Sequence, residues 1–376
     1  MNPFKPTAGK MPPILIGRES VIRDFEEALE NGAGAPGRLM LISGQRGFGK
    51  TVMLTELGRV AKKHDWVVVS DTASNGLCER LVAALSSGGL RFGGATISPS
   101  VGVGGMVSAS LGSVSISPSN AALTLREAIH ARLKRLPDGK GILFTIDEAQ
   151  AASEEDLVAV ATAIQHVLRD EDMRDVSDAK KHGVAFVFAA LPSMVDEVLN
   201  NKVLTFLRRS QQQVLAEVPL GDARAAYVDV VRESGKEISQ EDALAAAQAA
   251  AGYPYMVQLV GYYMWQSADR RGSRLIERAD VDRGISDAVV AFGEAVCAPI
   301  MDGLTPAQRE FVKAAAIDAP ASTAVADIAQ RCNRSSSWVS KYRASLIKEH
   351  VIEADGKGYV RLSTPHMAEY LRGSSW

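Results

Sequence analysis

Residues Gly44, Gln45, Arg46, Gly47, Phe48, Gly49, Lys50 and Thr51 place glycines, a lysine and a hydroxyl in the order G-x-x-x-x-G-K-T. A loop of this composition turns backbone N–H groups inward onto a phosphate chain; its lysine reaches the β- and γ-phosphates and its hydroxyl ligates Mg²⁺. The loop needs a strand before it and a helix after it, and both are signalled, by the apolar run 39–43 and a helical pattern over 51–63. The whole octapeptide is therefore read as the binding site for ATP or GTP. A second pair, Asp147 and Glu148, ends the apolar run 141–146. At a strand tip, Asp147 would hold Mg²⁺ through its water shell and Glu148 would orient and deprotonate an attacking water. The pair predicts hydrolysis to ADP and phosphate, against the blander reading of two solvated acids ahead of a helix that begins near Ser153.

These groups require a scaffold. Strands are predicted over 39–43, 66–70, 141–146 and 184–190, with helices over 51–63, 76–86, 123–136 and 154–169. Alternation of this kind gives a parallel sheet covered by helices. From 220 to about 298 the pattern is helical and alanine-rich, as in 242–251 and 255–267, which predicts a small all-α lid. Three helices over 305–317, 323–331 and 336–349 follow, with a turn at Asn333, Arg334 and Ser335. An alternating pair of strands over 351–362 then folds around Asp355, Gly356, Lys357 and Gly358. This is the spacing of a winged helix-turn-helix.

Composition bounds the rest. A chain of 376 residues with a 46% hydrophobic fraction holds two or three ordinary globular domains. A net charge of −2 argues against a uniformly basic nucleic-acid coat, so any DNA contact must be local. Cys78, Cys297 and Cys332 are odd in number and far apart, which excludes a disulfide framework and suits a reducing, cytoplasmic home. The N-terminus has no apolar signal core and no stretch approaches 18 uninterrupted apolar residues, so neither secretion nor a membrane span is expected. The six histidines lack ligand spacing, and no transition metal is expected.

Together, 15–19 (Leu-Ile-Gly-Arg-Glu), the phosphate loop, the Asp147-Glu148 strand, the turn at Leu191, Pro192 and Ser193, and 252–261 (opening Gly-Tyr-Pro-Tyr) resemble bacterial and archaeal AAA+ ATPases near the origin-recognition initiators and the STAND switch ATPases. The likeness spans nearly the whole chain. It implies that Ile16, Gly17 and Arg18 border an adenine, that Pro254 touches the nucleotide from the lid, and that ATP is preferred to GTP; no guanine-reading N-K-x-D follows Asp147. It also implies an arginine finger, acting on a neighbouring copy's nucleotide, near Arg208 and Arg209; a solvated basic turn is the competing reading. Two departures stand out. The initiators' lid arginine is missing from Gly252-Tyr253-Pro254-Tyr255, and Gly221 to Arg224 comes too early to replace it. The strand 184–190 ends without a polar tip, leaving Ser193 as the candidate water-positioning group.

Between Arg331 and Arg361, seven Lys or Arg residues face three acids. Ser336, Ser337, Lys341 and Arg343 fall on the recognition helix of the expected winged helix, with Lys357 and Arg361 on its wing, where they would meet double-stranded DNA. Winged helices also serve as protein-contact or autoinhibitory modules, and that alternative stays open. The Gly- and Ser-rich stretch 87–119 is read as a surface insertion, or else as a hairpin that meets a partner. The expectation is an α/β P-loop NTPase of AAA+ type: parallel sheet sandwiched by helices over 1–215, all-α lid over 216–300, winged helix-turn-helix over 301–376. It would be an ATP- and Mg²⁺-dependent ATPase switch coupled to DNA, oligomeric through its finger; a STAND-like signalling ATPase is the alternative.

Overall fold

The computed structural model describes residues 1–7, 10–32, 34–86, 118–192, 195 and 207–373. Five parallel strands form the central sheet: β1 (Leu39–Ser43), β2 (Val67–Thr72), β3 (Gly141–Asp147), β4 (Gly183–Ala190) and β5 (Gln211–Val214), in the order β2-β3-β4-β1-β5. The three inner strands read as near-continuous apolar runs because both of their faces are covered. The two-residue side-chain period sorts them. Met40, Ile42, Leu143, Val187 and Ala189 join one core, while Leu41, Ile142, Phe144, Phe186 and Phe188 join the other.

Helices α1 (Glu19–Glu30) and α2 (Lys50–Lys63) cover the first face; α3 (Leu77–Ser86), α4 (Pro118–Leu133) and α5 (Glu154–Asp172) cover the second. In the second core Phe144 and Phe186 stack with ring centres 4.2 Å apart. Among the described residues of the sheet domain, one strand and one helix escaped the sequence reading. The edge strand β5 is Gln-Gln-Gln-Val and has no apolar signature; Gln211 and Gln213 instead donate to Asp24 of α1, at 2.9 and 3.4 Å. The other is α1 itself.

Beyond the sheet come α6 (Leu220–Glu233), α7 (Gln240–Ala250), α8 (Pro254–Arg270) and α9 (Arg278–Phe292), with a two-residue strand pair, β6 (Glu237–Ile238) and β7 (Leu275–Ile276). The helix α9 runs through a π turn, Gly293–Cys297, into α10 (Ala298–Gly303). The run Arg278–Gly303 is long and apolar enough to cross a membrane, but Val281, Ala288, Phe292, Cys297 and Met301 on it are core residues here. The C-terminal unit follows as α11 (Pro306–Ala316), β8 (Thr323–Ala324), α12 (Val325–Cys332), α13 (Ser336–Lys348), β9 (Ile352–Ala354), β10 (Tyr359–Leu362) and α14 (Met367–Gly373). Its three strands pair antiparallel in the order β8-β10-β9.

One apolar core is continuous from the first face of the sheet, through the four lid helices, to Phe311, Val339, Leu346 and Met367 of the C-terminal unit. The start of the chain also belongs to it. Phe4 is buried against Gly261 of α8, where an added Cβ would lie 2.3 Å from its ring, and Asn2 donates to the Tyr262 carbonyl.

Candidate nucleotide site

The loop between β1 and α2 is built as its composition requires. Gly47 and Gly49 take the left-handed backbone conformation, at φ +81° and +86°, and Lys50 opens α2. Lys50 is buried, with its ammonium donating to the carbonyls of Gly44 (2.8 Å) and Gln45 (3.1 Å). Burial lowers its pKa, opposed by the carboxylates of Glu148 and Asp147. At the tip of β3 the Thr51 hydroxyl donates to Asp147 Oδ2 at 2.5 Å, and the other oxygen of Asp147 accepts the Glu148 N–H at 2.9 Å. Two hard oxygen donors in contact, beside a phosphate loop, suit Mg²⁺. Glu148 itself turns left-handed, at φ +50°, a conformation that costs a glutamate about 1 kcal/mol and carries its carboxylate toward the loop.

A cavity of about 530 Å³ opens above the loop. Residues 46–51 and Glu148 form its floor, Ile16 and Arg18 one wall, and Pro254 and Tyr255 of α8 another. Gly17 bends the chain between Ile16 and Arg18, against Pro219. Arg18 is buried, and its guanidinium donates to the Ala216 carbonyl at 2.7 Å. Several wall residues escaped the sequence reading. Lys5, Thr7 and Lys10 come from the N-terminal segment that Phe4 pins to the lid, Gln258 comes from α8, and Ala295, Val296 and Pro299 come from the π turn and the start of α10. A run of lysine and proline gives no helical or strand period, and a π turn has no residue signature.

The lid contact is made by Tyr253. Its hydroxyl donates to the Arg46 carbonyl, its ring stands edge-on to Phe48 at 4.8 Å, and Phe292 packs edge-on behind it at 5.1 Å. Phe292 in turn meets His366 of the C-terminal unit, whose Nε2 lies 2.8 Å from the Ala249 carbonyl. Gln45 reaches further still, donating to Glu353 Oε1 of β9 at 3.2 Å.

Residues 14–172 match the AAA ATPase domain family. The strand order, with β4 between the strand that enters the phosphate loop and the strand that ends in Asp147-Glu148, agrees. The fold is that of an AAA+ ATPase. Solved structures similar to it along nearly all its length include the ORC2 protein of Aeropyrum pernix in its ADPNP–ADP complexes, at TM-score 0.62 and 14% identity, covering 98% of this chain and 96% of that one. The Walker-type ATPase PABY2304 of Pyrococcus abyssi follows at 0.62 and 15% (95% and 96% covered), and Cdc6p from Pyrobaculum aerophilum at 0.51 and 14% (98% and 97% covered). Residues 294–371 match a domain of unknown function (DUF8462), and no curated protein matches the sequence.

The remaining candidates are dispersed. Arg208 and Arg209 lie in the turn that leads into β5 and are exposed. That is the end of the parallel strands opposite the phosphate loop, about 13 Å of strand away from it. Ser336, Ser337, Lys341 and Lys357 are exposed in the C-terminal unit. Arg343 is half-buried, and Arg361 donates twice to Glu353, at 2.8 and 3.1 Å. The basic surplus counted along the sequence is smaller in space. Arg331 and Arg334 are likewise paired, with Asp318 and Glu310, two acids that precede the counted window. Ser193 and residues 87–117 lie outside the described residues.

Proposed function

We propose that this AAA+ ATPase hydrolyses ATP and uses its nucleotide state to set the position of a C-terminal winged helix, and through it the engagement of duplex DNA. One observation carries the proposal: the cavity above the phosphate loop has walls from the sheet, from lid helix α8, and from the π turn that leads into the C-terminal unit. A ligand filling it touches all three, so ATP and ADP differ in what they hold together. The element order helix, strand, helix, helix, strand, strand supports the winged-helix reading, and α13 carries the exposed Ser336, Ser337 and Lys341 at the leading part of its surface.

In the chemical step the loop N–H groups and Lys50 bind and orient the phosphate chain. Thr51 and Asp147 would hold Mg²⁺, which supplies charge neutralisation on the transferred phosphoryl group. Glu148 takes the proton of the attacking water. Ile16, Arg18, Pro254 and Tyr255 wall the base, and Arg208 and Arg209, at the end of the strands opposite their own site, would serve a neighbouring copy. Duplex binding measured by fluorescence anisotropy with ATP, with ADP and without nucleotide, at two salt concentrations, tests the DNA reading. The affinity is expected to change with nucleotide and to fall in a Lys341→Glu/Lys357→Glu variant.

The contact of Gln45 with Glu353 favours a second reading. A C-terminal hairpin docked on the phosphate loop is the arrangement a STAND-like switch would use to stay shut, its output being a protein contact. Absence of duplex binding in every nucleotide state, together with slow ADP release, would select it.

A further inference from the structure

Gln150 occupies the 3₁₀ turn Ala149–Ala151 directly behind the Asp147-Glu148 pair. Its side-chain carbonyl accepts the backbone N–H of Leu191 at 3.1 Å, at the tip of β4. That bond fixes which end of the amide is which. A backbone N–H can only donate, so the amide oxygen faces Leu191 and the NH₂ faces the other way, where it donates to Glu148 Oε2. The strands β3 and β4 are neighbours in register, Ile146 beside Phe188, so one side chain spans their two adjacent ends. Glu148 is held by this donor while lining the nucleotide cavity. The strand β4 ends Ala189-Ala190 and is followed by Leu191 and Pro192, so among the described residues no polar side chain stands at its tip.

We propose that Gln150 is a positioning residue for hydrolysis, its amide aiming the Glu148 carboxylate at the phosphate loop and registering it to the end of β4. A carboxylate on a left-handed residue at a strand tip has rotamer freedom that the hydrolytic step must remove, and an N–H donor anchored at its far end removes it. Movement of the β4 tip is thereby passed to the general base through one amide. The inference rests on the hydrolytic reading of Glu148 above.

The test compares Gln150→Ala and Gln150→Glu with the wild type in steady-state ATP hydrolysis and in binding of a fluorescent ATP analogue. Gln150→Glu keeps the volume and the acceptor for Leu191 but cannot donate to Glu148. Both variants are expected to lose about tenfold or more in kcat while nucleotide affinity stays within about twofold. In a Glu148→Gln background the same substitutions are expected to cost nothing further, because the group they position is already lost. Loss in Gln150→Ala with full activity in Gln150→Glu would mean that the side chain only fills space, and would overturn the proposal. So would unchanged or raised kcat in both. A wild type that hydrolyses ATP no faster than Glu148→Gln would instead sink the hydrolytic reading, and this proposal with it.

Discussion

Lys50 donates to two main-chain carbonyls in a buried setting, so its charge is desolvated, hydrogen-bonded to neutral acceptors and offset only in part by the carboxylates of Glu148 and Asp147. A cation in that position adds little to the stability of the nucleotide-free protein, and a phosphate chain is the partner that repays its burial. Lys50→Met is therefore expected to keep the nucleotide-free Tm within the equivalent of about 1 kcal/mol, while abolishing the Tm rise that saturating ATP gives the wild type, on the order of 2.7 kcal/mol at a hundredfold excess over Kd. Thermal melts with and without ATP and Mg²⁺ check both halves. Glu148→Gln should keep that nucleotide-induced rise and stop phosphate release; equal turnover in the variant and the wild type would remove Glu148 from the chemistry. The place of the loop between β1 and α2, and of the acid pair at the end of β3, was legible in the sequence because glycines, apolar runs and the residues that follow them dictate the local backbone. Gln150 was not, since an amide three residues past the end of a strand acquires its meaning only from Leu191, a neighbour in space and not in sequence.

At the scale of elements, the N-terminal segment behaves as a strap. Phe4 is seated in the lid, the Lys5 N–H donates to Gln258 at 3.2 Å, and Lys5, Thr7 and Lys10 then run along the cavity before residues 14–18 form its wall. Opening the lid must either drag this strap or unseat Phe4. Phe4→Ala removes a buried aromatic packed on Tyr227 at 5.9 Å, and by that loss alone should cost about 3–5 kcal/mol of lid stability. The functional consequence is a faster exit: release of a fluorescent ADP analogue should accelerate about tenfold or more, and a release rate equal to the wild type would show that the strap does not gate the cavity. Period and composition gave β1, β3, β4 and the lid helices because burial imposes apolar residues there. They could not give β5, an edge strand held by glutamine-to-Asp24 hydrogen bonds, or the strap, which is anchored by one aromatic in a notch that Gly261 leaves open.

Across the whole molecule, two routes among the described residues join the phosphate loop to the C-terminal unit. One runs through packed rings, Phe48, Tyr253, Phe292 and His366. The other is polar and direct, from Gln45 to Glu353, whose other oxygen is held by Arg361. The polar route is the better candidate for a latch, because a hydrogen bond to a partly exposed carboxylate can be exchanged for water at little cost whereas the rings cannot separate without exposing core. If Gln45 and Glu353 act as one contact, Gln45→Ala and Glu353→Ala should each speed ADP release, by roughly fivefold for about 1 kcal/mol, and the double variant should be no faster than the singles. Two effects that simply multiply would mean that each residue works through other neighbours and that the hairpin is not latched to the loop. With the latch broken, limited proteolysis of the ADP-bound protein should cut within 304–373 faster than in the wild type, and duplex affinity in the ADP state should move toward that of the ATP state. A broken latch that changes release but leaves the proteolysis of the C-terminal unit unaltered would confine the contact to the nucleotide site and detach it from the output of the switch.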